Sequence, residues 1–273
     1  MTEYLAHSAK GNCPAQTYSA HIQGVCDRAV RYAEEAEQYS LKNKGILKSI
    51  VQISALLHDL GKLDEQNQKV LHNTGNVRSK LPVNHVDAGC AALKLMKKPF
   101  SALVVYSHHR GLPNIAAEKI RGTAAFRDES QSTRDKTDES LSRLLDRHKK
   151  VVPMYNFDQE KQPKSGKSRT VFYRMALSCL ADADHSDTAF AYNQAPAKEH
   201  LPKLCPSERL EALDKYVSKL GGNDVRSELR REMYFACRNT NVLDGFASCD
   251  SPVGSGKTTA IMAHLLQQAI QRD

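Results

Sequence analysis

Several absences narrow the structural classes that this sequence can belong to. It has no tryptophan, no Cys-x-x-C pair among its seven cysteines, and no apolar run near the ~20 residues that a bilayer-spanning helix needs. No basic segment followed by an apolar stretch opens the chain, so no export signal is indicated. An odd number of scattered cysteines favours neither a disulfide framework nor a zinc ribbon. We therefore expect a soluble cytoplasmic protein with buried thiols and no membrane partner.

The composition is that of an ordinary globular protein, with 40% hydrophobic and 26% charged residues in 273. The formal net charge of +8 is compatible with a polyanionic partner. Solvated helix faces explain any single basic cluster more often than binding does. The basic residues fall in three clusters: Lys94, Lys97 and Lys98; Arg147, Lys149 and Lys150; and Lys161, Lys164, Lys167 and Arg169. The last cluster lies in the polar stretch 158–169, which predicts an exposed loop that contacts phosphates.

Hydrophobic periodicity predicts helices through most of the chain. Ile22, Val25 and Ala29 form one stripe of the first helix, and Asn84 is a candidate N-cap for the third. No internal repeat or sustained β alternation occurs before residue 240, so residues 1–240 are predicted to be an all-α domain. The predicted helices span 18–37, 46–59, 84–99, 100–106, 170–185, 207–220 and 225–237.

The C-terminal part carries a different signal. A predicted strand at 246–249 leads into Ser251-Pro-Val-Gly-Ser-Gly-Lys-Thr258, followed by a predicted helix at 259–271. This segment resembles the first motif of superfamily-2 helicases, with serine in place of the first Walker A glycine. Such a loop binds phosphates through backbone N–H groups and its lysine, which makes Gly254, Gly256, Lys257 and Thr258 the candidate ATP-binding residues. Few residues follow, so we expect 241–273 to be a truncated strand–loop–helix fragment and ATP to be a cofactor of the full-length protein only.

Histidine and aspartate residues at predicted helix ends are the main chemical signal. Imidazole and carboxylate ligands suit Mn, Fe, Co, Ni or Zn ions. An adjacent His-Asp pair is useful because its carboxylate can bridge two ions ~3.5–4 Å apart, which together activate water and stabilise the leaving oxygen of a phosphodiester. The candidates are His21, His58, Asp59, His85, His108, His109 and either Asp182 or Asp184.

Isolated histidines weigh less than tandem ones. A lone helical histidine is more often a packed or solvated residue than a metal ligand. The dipeptides His58-Asp59 and His108-His109 are each followed closely by a glycine, a pattern that packing alone does not explain. The histidines assigned no metal role are His7, His72, His148, His185, His200 and His264.

The sequence His58-Asp-Leu-Gly-Lys62 resembles the HD superfamily of metal-dependent phosphohydrolases, which have an all-α fold. More narrowly, the chain resembles the HD nuclease domain of the CRISPR-associated nuclease-helicase that destroys DNA in type I interference. The matching motifs span residues 7–188: Leu-Ala-His7-Ser, His21, His58-Asp59-x-x-Lys62, Asn84-His85, His108-His109-x-Gly111 and Ala-Asp184 followed by Thr188.

This resemblance implies a role for each matched residue. His21, His58, Asp59 and Asp184 would hold one divalent ion, and Asp59, His85, His108 and His109 would hold the other. Asp59 and Lys62 would be the catalytic residues, with Lys62 near the scissile phosphate. Asp184 fits the family pattern better than Asp182. The ions would be Mn, Fe, Ni or Co, with Mg as an alternative.

The expected function is hydrolysis of single-stranded DNA in antiviral defence by a monomer that works with a CRISPR RNA-guided surveillance complex. One alternative is an HD-type nucleotide phosphohydrolase or cyclic-dinucleotide phosphodiesterase, which would use the same ligands. Another is a non-catalytic scaffold that docks on the surveillance complex. The appended helicase motif and the basic clusters favour the nuclease, and the complete ligand set disfavours the scaffold. Endonuclease and exonuclease modes both stay open.

Overall fold

A computed structural model describes residues 3–38, 44–73, 81–152, 169–194, 203–240 and 248–272. The chain divides into two compact units, Met1–Ala197 and Lys198–Asp273. The structure is mostly helical, as the sequence predicted. The described elements of the first unit are β1 (Leu5–His7), β2 (Gln16–Thr17), α1 (Tyr18–Glu37), α2 (Ile46–Leu57), α3 (Glu65–His72), α4 (His85–Leu95), α5 (Pro99–Ser107), α6 (Ile115–Ile120), α7 (Gln131–Val151) and α8 (Arg169–Ala191).

The core of the first unit lies between α1, α2, α4, α5 and α8. The apolar stripe predicted on α1 is buried along its length, including Ile22, Val25 and Ala29. Helix α2 is buried on several faces, because apolar residues occupy more than one side of it. This burial holds the C-terminal end of α2 in the interior, where the His-Asp pair follows.

Side chains fix where the ligand-bearing helices begin. Asn84 accepts hydrogen bonds from the backbone N–H groups of Val86 and Asp87, so α4 starts at His85 as the predicted cap implied. The Glu37 carboxylate at the end of α1 accepts from the backbone N–H groups of Gly45 and Leu47, at the start of α2. These contacts set the start of α4, which carries His85, and the start of α2, which leads into the His58-Asp59 pair.

Two glycines allow the backbone to approach closely behind the site. A Cβ atom at Gly89 of α4 would lie 2.1 Å from the carbonyl oxygen of Leu57, the last residue of α2. A Cβ atom at Gly61 would lie 2.6 Å from the Cα atom of His85. Real Cβ atoms do not approach other atoms so closely, so any larger residue would push His85 away from the His58-Asp59 pair.

The first unit also contains elements that periodicity did not predict. The charged stretch at 131–151 forms a long helix, α7, whose Leu144 and His148 are buried. Strands β1 and β2 pair antiparallel, which is a small exception to the all-α prediction. The Gln68 side chain hydrogen-bonds both the backbone N–H and the carbonyl of Leu5, so this short hairpin is held by a distant side chain.

The second unit contains three described helices and a small core of its own. Its described elements are α9 (Pro206–Lys219), α10 (Val225–Asn239) and α11 (Lys257–Arg272). Leu210, Tyr234, Ala263 and Leu266 form a small core, so α9 and α10 pack with α11. The division into compact units falls near residue 197, because the last helix buries its apolar side against the two helices before it, and the predicted domains 1–240 and 241–273 stay a prediction.

Two expectations concern the last segment, a strand at 246–249 and its packing. The segment was expected either to be loosely ordered or to pack on the helical residues 1–240 through Val253, Ile261, Leu265 and Leu266. Leu266 is buried within the second unit, whereas Val253 is 96% exposed and Leu265 is 56% exposed. Of the predicted strand 246–249, Ser248 and Cys249 are not in a strand, and the first two residues lie outside the described ranges.

A search of the described residues for membrane spans finds no helix that is both long and apolar enough to cross a bilayer.

Candidate metal centre

The first unit brings the predicted ligands together in two overlapping groups. His21, His58, Asp59 and Asp184 form the inner group, and Asp59, His85, His108 and His109 form the outer group. Within each group, the candidate ligand atoms all lie within 4.8 Å of one another. Asp59 belongs to both groups, as the bridging role implied. Asp182 is exposed and belongs to neither group, whereas Asp184 is buried in the inner one.

Backbone carbonyls orient two of the imidazole rings. The Nδ1 atom of His58 lies 2.8 Å from the carbonyl oxygen of Ala55, and that of His108 lies 2.6 Å from the carbonyl oxygen of Val105. A carbonyl oxygen can only accept, so Nδ1 must carry the proton in both rings. The Nε2 lone pairs of both rings are therefore available for a metal ion.

The other ligands converge on Asp59 from separate helices. His21 of α1 places Nε2 3.2 Å from Asp59 Oδ2 and 3.4 Å from Asp184 Oδ1 of α8. His85, the first residue of α4, places Nε2 3.6 Å from Asp59 Oδ1 and 3.1 Å from His109 Nε2. The ligands thus come from helices that are far apart in the sequence. These helices pack together around the core of the first unit.

The donor set fits divalent metal ions. The Nε2 atoms of His21, His58 and His108 are buried and make no hydrogen bond within the described part of the chain, although two of them lie within ion-pair distance of carboxylates. Leaving buried nitrogens without hydrogen bonds is costly in a folded protein. Metal ligation would satisfy all three, since neutral imidazole and carboxylate are ordinary ligands of Mn, Fe, Co, Ni and Zn.

The local electrostatics keep the shared carboxylate ionised and two imidazoles of the outer group neutral. Burial opposes ionisation of Asp59, but the Lys62 ammonium and the nearby imidazoles hold its pKa well below its usual range. Burial lowers the pKa of His85 to about 4 and that of His108 to about 3. At neutral pH these two rings are therefore deprotonated before any metal arrives.

The environment of His21 shifts its pKa in the opposite direction. Burial disfavours the charged ring, but the adjacent carboxylates of Asp184, Asp187 and Asp59 raise the pKa of His21 to about 10. Burial likewise opposes ionisation of Asp184, while the adjacent imidazoles of His21 and His58 bring its pKa below the usual range. This ring therefore attracts positive charge, and a metal ion would replace its Nε2 proton.

Lys62 lies beside the shared carboxylate. It follows the His-Asp pair in a 3-10 helix, Leu60–Leu63, and is buried. Its Nζ atom lies 2.6 Å from Asp59 Oδ2. A buried ammonium at this position can contact a phosphate oxygen of a bound substrate as well as the carboxylate.

Sequence analysis missed two residues at this site. Asp187 accepts a hydrogen bond from His21 Nδ1 at 2.9 Å. His7, which was grouped with the histidines without a role, contacts the His21 ring edge-on at 4.8 Å and lies 3.2 Å from Thr188 Oγ1. The spacing of Asp184 and Asp187 was an available signal, because residues three apart share a helix face.

An open groove borders the outer ligand group. It has a volume of about 870 Å³ and is lined in part by His85 and His109. Exposed cations of α7 and its neighbours line it, but acidic side chains do so too, which gives the groove mixed charge. Its charged lining residues are Arg110, Lys136, Arg143, Asp64, Asp87, Asp128 and Glu139.

Several residues of the basic clusters have structural contacts. Lys94 Nζ donates to the carbonyl oxygens of Thr123 and Ala125. Arg147 donates to the carbonyl oxygen of Leu63 and pairs with Glu65. The side chains of the cluster at 161–169 lie outside the described ones, so its predicted phosphate contacts stay a prediction.

The candidate phosphate loop lies in the second unit, and its lysine is engaged by the loop itself. Lys257 Nζ donates to the carbonyl oxygens of Ser251 and Pro252. Gly254 and Gly256 both have φ of +84°, a conformation that favours glycine. Thr258 is the second residue of α11 and is exposed. These contacts hold the loop closed on its own lysine.

One comparison with known proteins matches a family model within the first unit. Residues 18–149 match the family model described as HD domain. This range contains every predicted ligand except Asp184. No curated protein matches the chain significantly. The family match supports an HD domain within the first unit, which suggests metal-dependent phosphohydrolase activity, and the His/Asp clusters fit metal binding.

Proposed function

We propose that this chain is a nuclease that hydrolyses phosphodiester bonds of single-stranded DNA with two divalent metal ions. The observation that carries the proposal is the sharing of Asp59 between two complete ligand groups. One metal ion needs only one group. A carboxylate between two groups is the arrangement by which paired ions act on a single phosphodiester.

Each part of the site would then have a distinct task. The inner and outer groups would hold one ion each, and the bound ions would supply a hydroxide nucleophile and stabilise the leaving oxygen. Lys62 would bind a non-bridging phosphate oxygen, since its ammonium is buried beside the shared carboxylate. His85 and His109 border the open groove, so the substrate would approach from the side of the outer group.

The choice of DNA rests chiefly on sequence. The motifs between His7 and Thr188 resemble the HD nuclease domains of CRISPR-associated nuclease-helicases more than other HD enzymes. An open groove with cations on α7 is also compatible with a strand that extends past the site. By the same resemblance, an RNA-guided surveillance complex would deliver the DNA, and ATP use would require a helicase motor.

Metal analysis and a nuclease assay test this proposal. Protein purified without added metal should contain transition-metal ions or accept two Mn²⁺ or Co²⁺ ions per chain on titration. It should cut circular single-stranded DNA, and a chelator should stop the cutting. A circular strand has no ends, so cutting it also shows endonuclease action. Turnover of nucleotides or cyclic dinucleotides with intact DNA would instead favour the small-substrate alternative.

The basic stretch at 158–169 provides a test of DNA binding. Replacing its four cations by glutamine should weaken binding and reduce the salt dependence of affinity, by up to about 0.7 in log–log slope per lost phosphate contact. Fluorescence anisotropy with a labelled single strand across a salt titration measures this. An unchanged affinity would show that the stretch does not contact DNA. The substituted residues are Lys161, Lys164, Lys167 and Arg169, and the matched control set of exposed residues is Lys203, Lys215, Lys219 and Arg226.

A further inference from the structure

Asp187 is a buried carboxylate on α8 with three donors around it. His21 Nδ1 lies 2.9 Å from Oδ2, Gln16 Nε2 lies 2.7 Å from the same oxygen, and Arg28 Nη1 lies 3.3 Å from Oδ1. Asp187 is only 6% exposed. A carboxylate so far from water needs such partners, and the shortest contact to a candidate ligand is that to His21.

Helices α1 and α8 approach closely at Gly24, which leaves room for the Asp187 carboxylate beside His21. A Cβ atom at Gly24 would lie 2.0 Å from Asp187 Oδ1, so the carboxylate fills the space that a side chain would take. Gly24 follows His21 by three residues on α1, and Asp187 follows Asp184 by three residues on α8. The imidazole of His21 therefore lies between two carboxylates that are one helical turn apart, with Asp184 on its Nε2 side and Asp187 on its Nδ1 side.

We infer that Asp187 is a positioning residue that fixes His21 for metal binding. By accepting the Nδ1 proton it directs the Nε2 lone pair toward Asp59 and Asp184, where the inner ion would bind. His58 and His108 obtain the same orientation from backbone carbonyls. A carboxylate acceptor also makes the imidazole a stronger ligand than a neutral acceptor does. The inference rests on the metal-dependent part of the proposed function and is independent of the substrate.

A purely structural role for Asp187 would lie in its ion pair with Arg28. That arginine also stacks on the Phe190 ring and donates to the carbonyl oxygen of Gly24, so it links α1 to α8. Arg28→Ala removes this link and leaves the acceptor of His21 in place. It is therefore the control that separates support of the helix packing from orientation of the ligand.

Metal binding is the readout, measured by Co²⁺ titration with the visible absorption of Co²⁺ as a signature of the ligand set. Asp187→Ala should weaken binding of one ion about 10- to 100-fold, the usual effect of losing an outer-shell carboxylate, and leave the other ion in place. Arg28→Ala should remain close to the parent. Gly24→Ala, which displaces the carboxylate without removing it, should behave like Asp187→Ala.

Three outcomes would overturn the inference. The first is parental Co²⁺ affinity in a folded Asp187→Ala variant, and the second is an equal loss of affinity in Arg28→Ala. If Asp187→Ala does not fold, Asp187→Leu keeps a similar volume and removes the acceptor of His21 Nδ1, and parental affinity there overturns the inference equally. The third is a parent protein that binds no Co²⁺, which would overturn the metal centre as well. If the Co²⁺ affinities of the parent and the variants are as expected but the parent does not cleave DNA, the proposed substrate is wrong. The inferred role of Asp187 is then unaffected.

Discussion

The first unit carries the His58-Asp59 pair, and the second carries the loop that contains Lys257. The two motifs differ in which parts of the chain contact them. In the first, the His58-Asp59 pair is met by side chains from α1, α4 and α8, and by residues that follow α5. In the second, Lys257 bonds to carbonyls of its own loop. No strand precedes that loop among the described residues from 248 onward. The difference shows that a motif gains chemical capability when distant elements supply its partners.

Removing the shared carboxylate should have the largest effect. Asp59→Ala deletes a ligand from both groups, so we expect loss of bound metal and a fall in DNA cleavage of roughly a thousandfold or more. Metal analysis and a cleavage assay measure the two effects. Asp182→Ala is the control, because Asp182 is exposed on the helix that carries Asp184. If Asp59→Ala cleaves DNA at the parental rate, the assignment of the metal site to the first unit is wrong.

Glycine substitutions compare the packing of the two units. Gly89→Ala places a Cβ atom against the Leu57 carbonyl, and such overpacking costs about 1–3 kcal/mol of unfolding free energy. Gly221→Ala in the second unit meets no atom within 4 Å, so its effect should stay within about 0.5 kcal/mol. Urea unfolding followed by circular dichroism, with hydrogen exchange to assign the transition, measures both. Equal effects would show that the close helix contact is unimportant.

The buried core of the first unit should also make its stability depend on pH. His148 is buried beside the Tyr18 hydroxyl, and burial lowers its pKa to about 4. The unfolded chain protonates this ring below its usual pKa of about 6.5, whereas the folded chain does not. Stability should therefore fall as pH drops from 6.5 toward 4, by an amount on the order of 2 kcal/mol. Urea unfolding of the parent and of His148→Gln across this range measures it, and parallel curves would contradict the assignment.

The smallest effect is expected in the second unit. ATP with Mg²⁺ should give no saturable binding isotherm, because Lys257 is engaged by loop carbonyls and no parallel strand supports the loop in the described residues. Lys257→Ala should leave DNA cleavage unchanged. Calorimetry at micromolar protein tests this. A one-to-one isotherm that Lys257→Ala abolishes would make the second unit a nucleotide site in its own right.

Local patterns predicted much of the helical unit, and non-local features escaped them. The extent of α1 followed from its apolar stripe, and the start of α4 followed from the Asn84 cap. The charged surface of α7 concealed its few buried residues, and the β1–β2 hairpin depends on Gln68 from another element. The role of Asp187 could not be predicted from its local sequence, because it depends on the contact of α8 with His21 of α1. The packing of α9 and α10 on α11 was not foreseen, because it leaves no mark in composition.

The unequal exposure of the two ligand groups has a consequence for the order in which the centre assembles. All four inner ligands are buried, whereas His109 is exposed and His85 is partly exposed in the outer group. If each group holds one ion, the ion in the outer group would exchange with solvent faster than the ion in the inner group, whose ligands are all buried. The protein would then lose and regain its ions in sequence, passing through a state that retains the inner ion alone. Activity would follow the supply of the outer ion, so the free metal concentration around the protein would set its working rate.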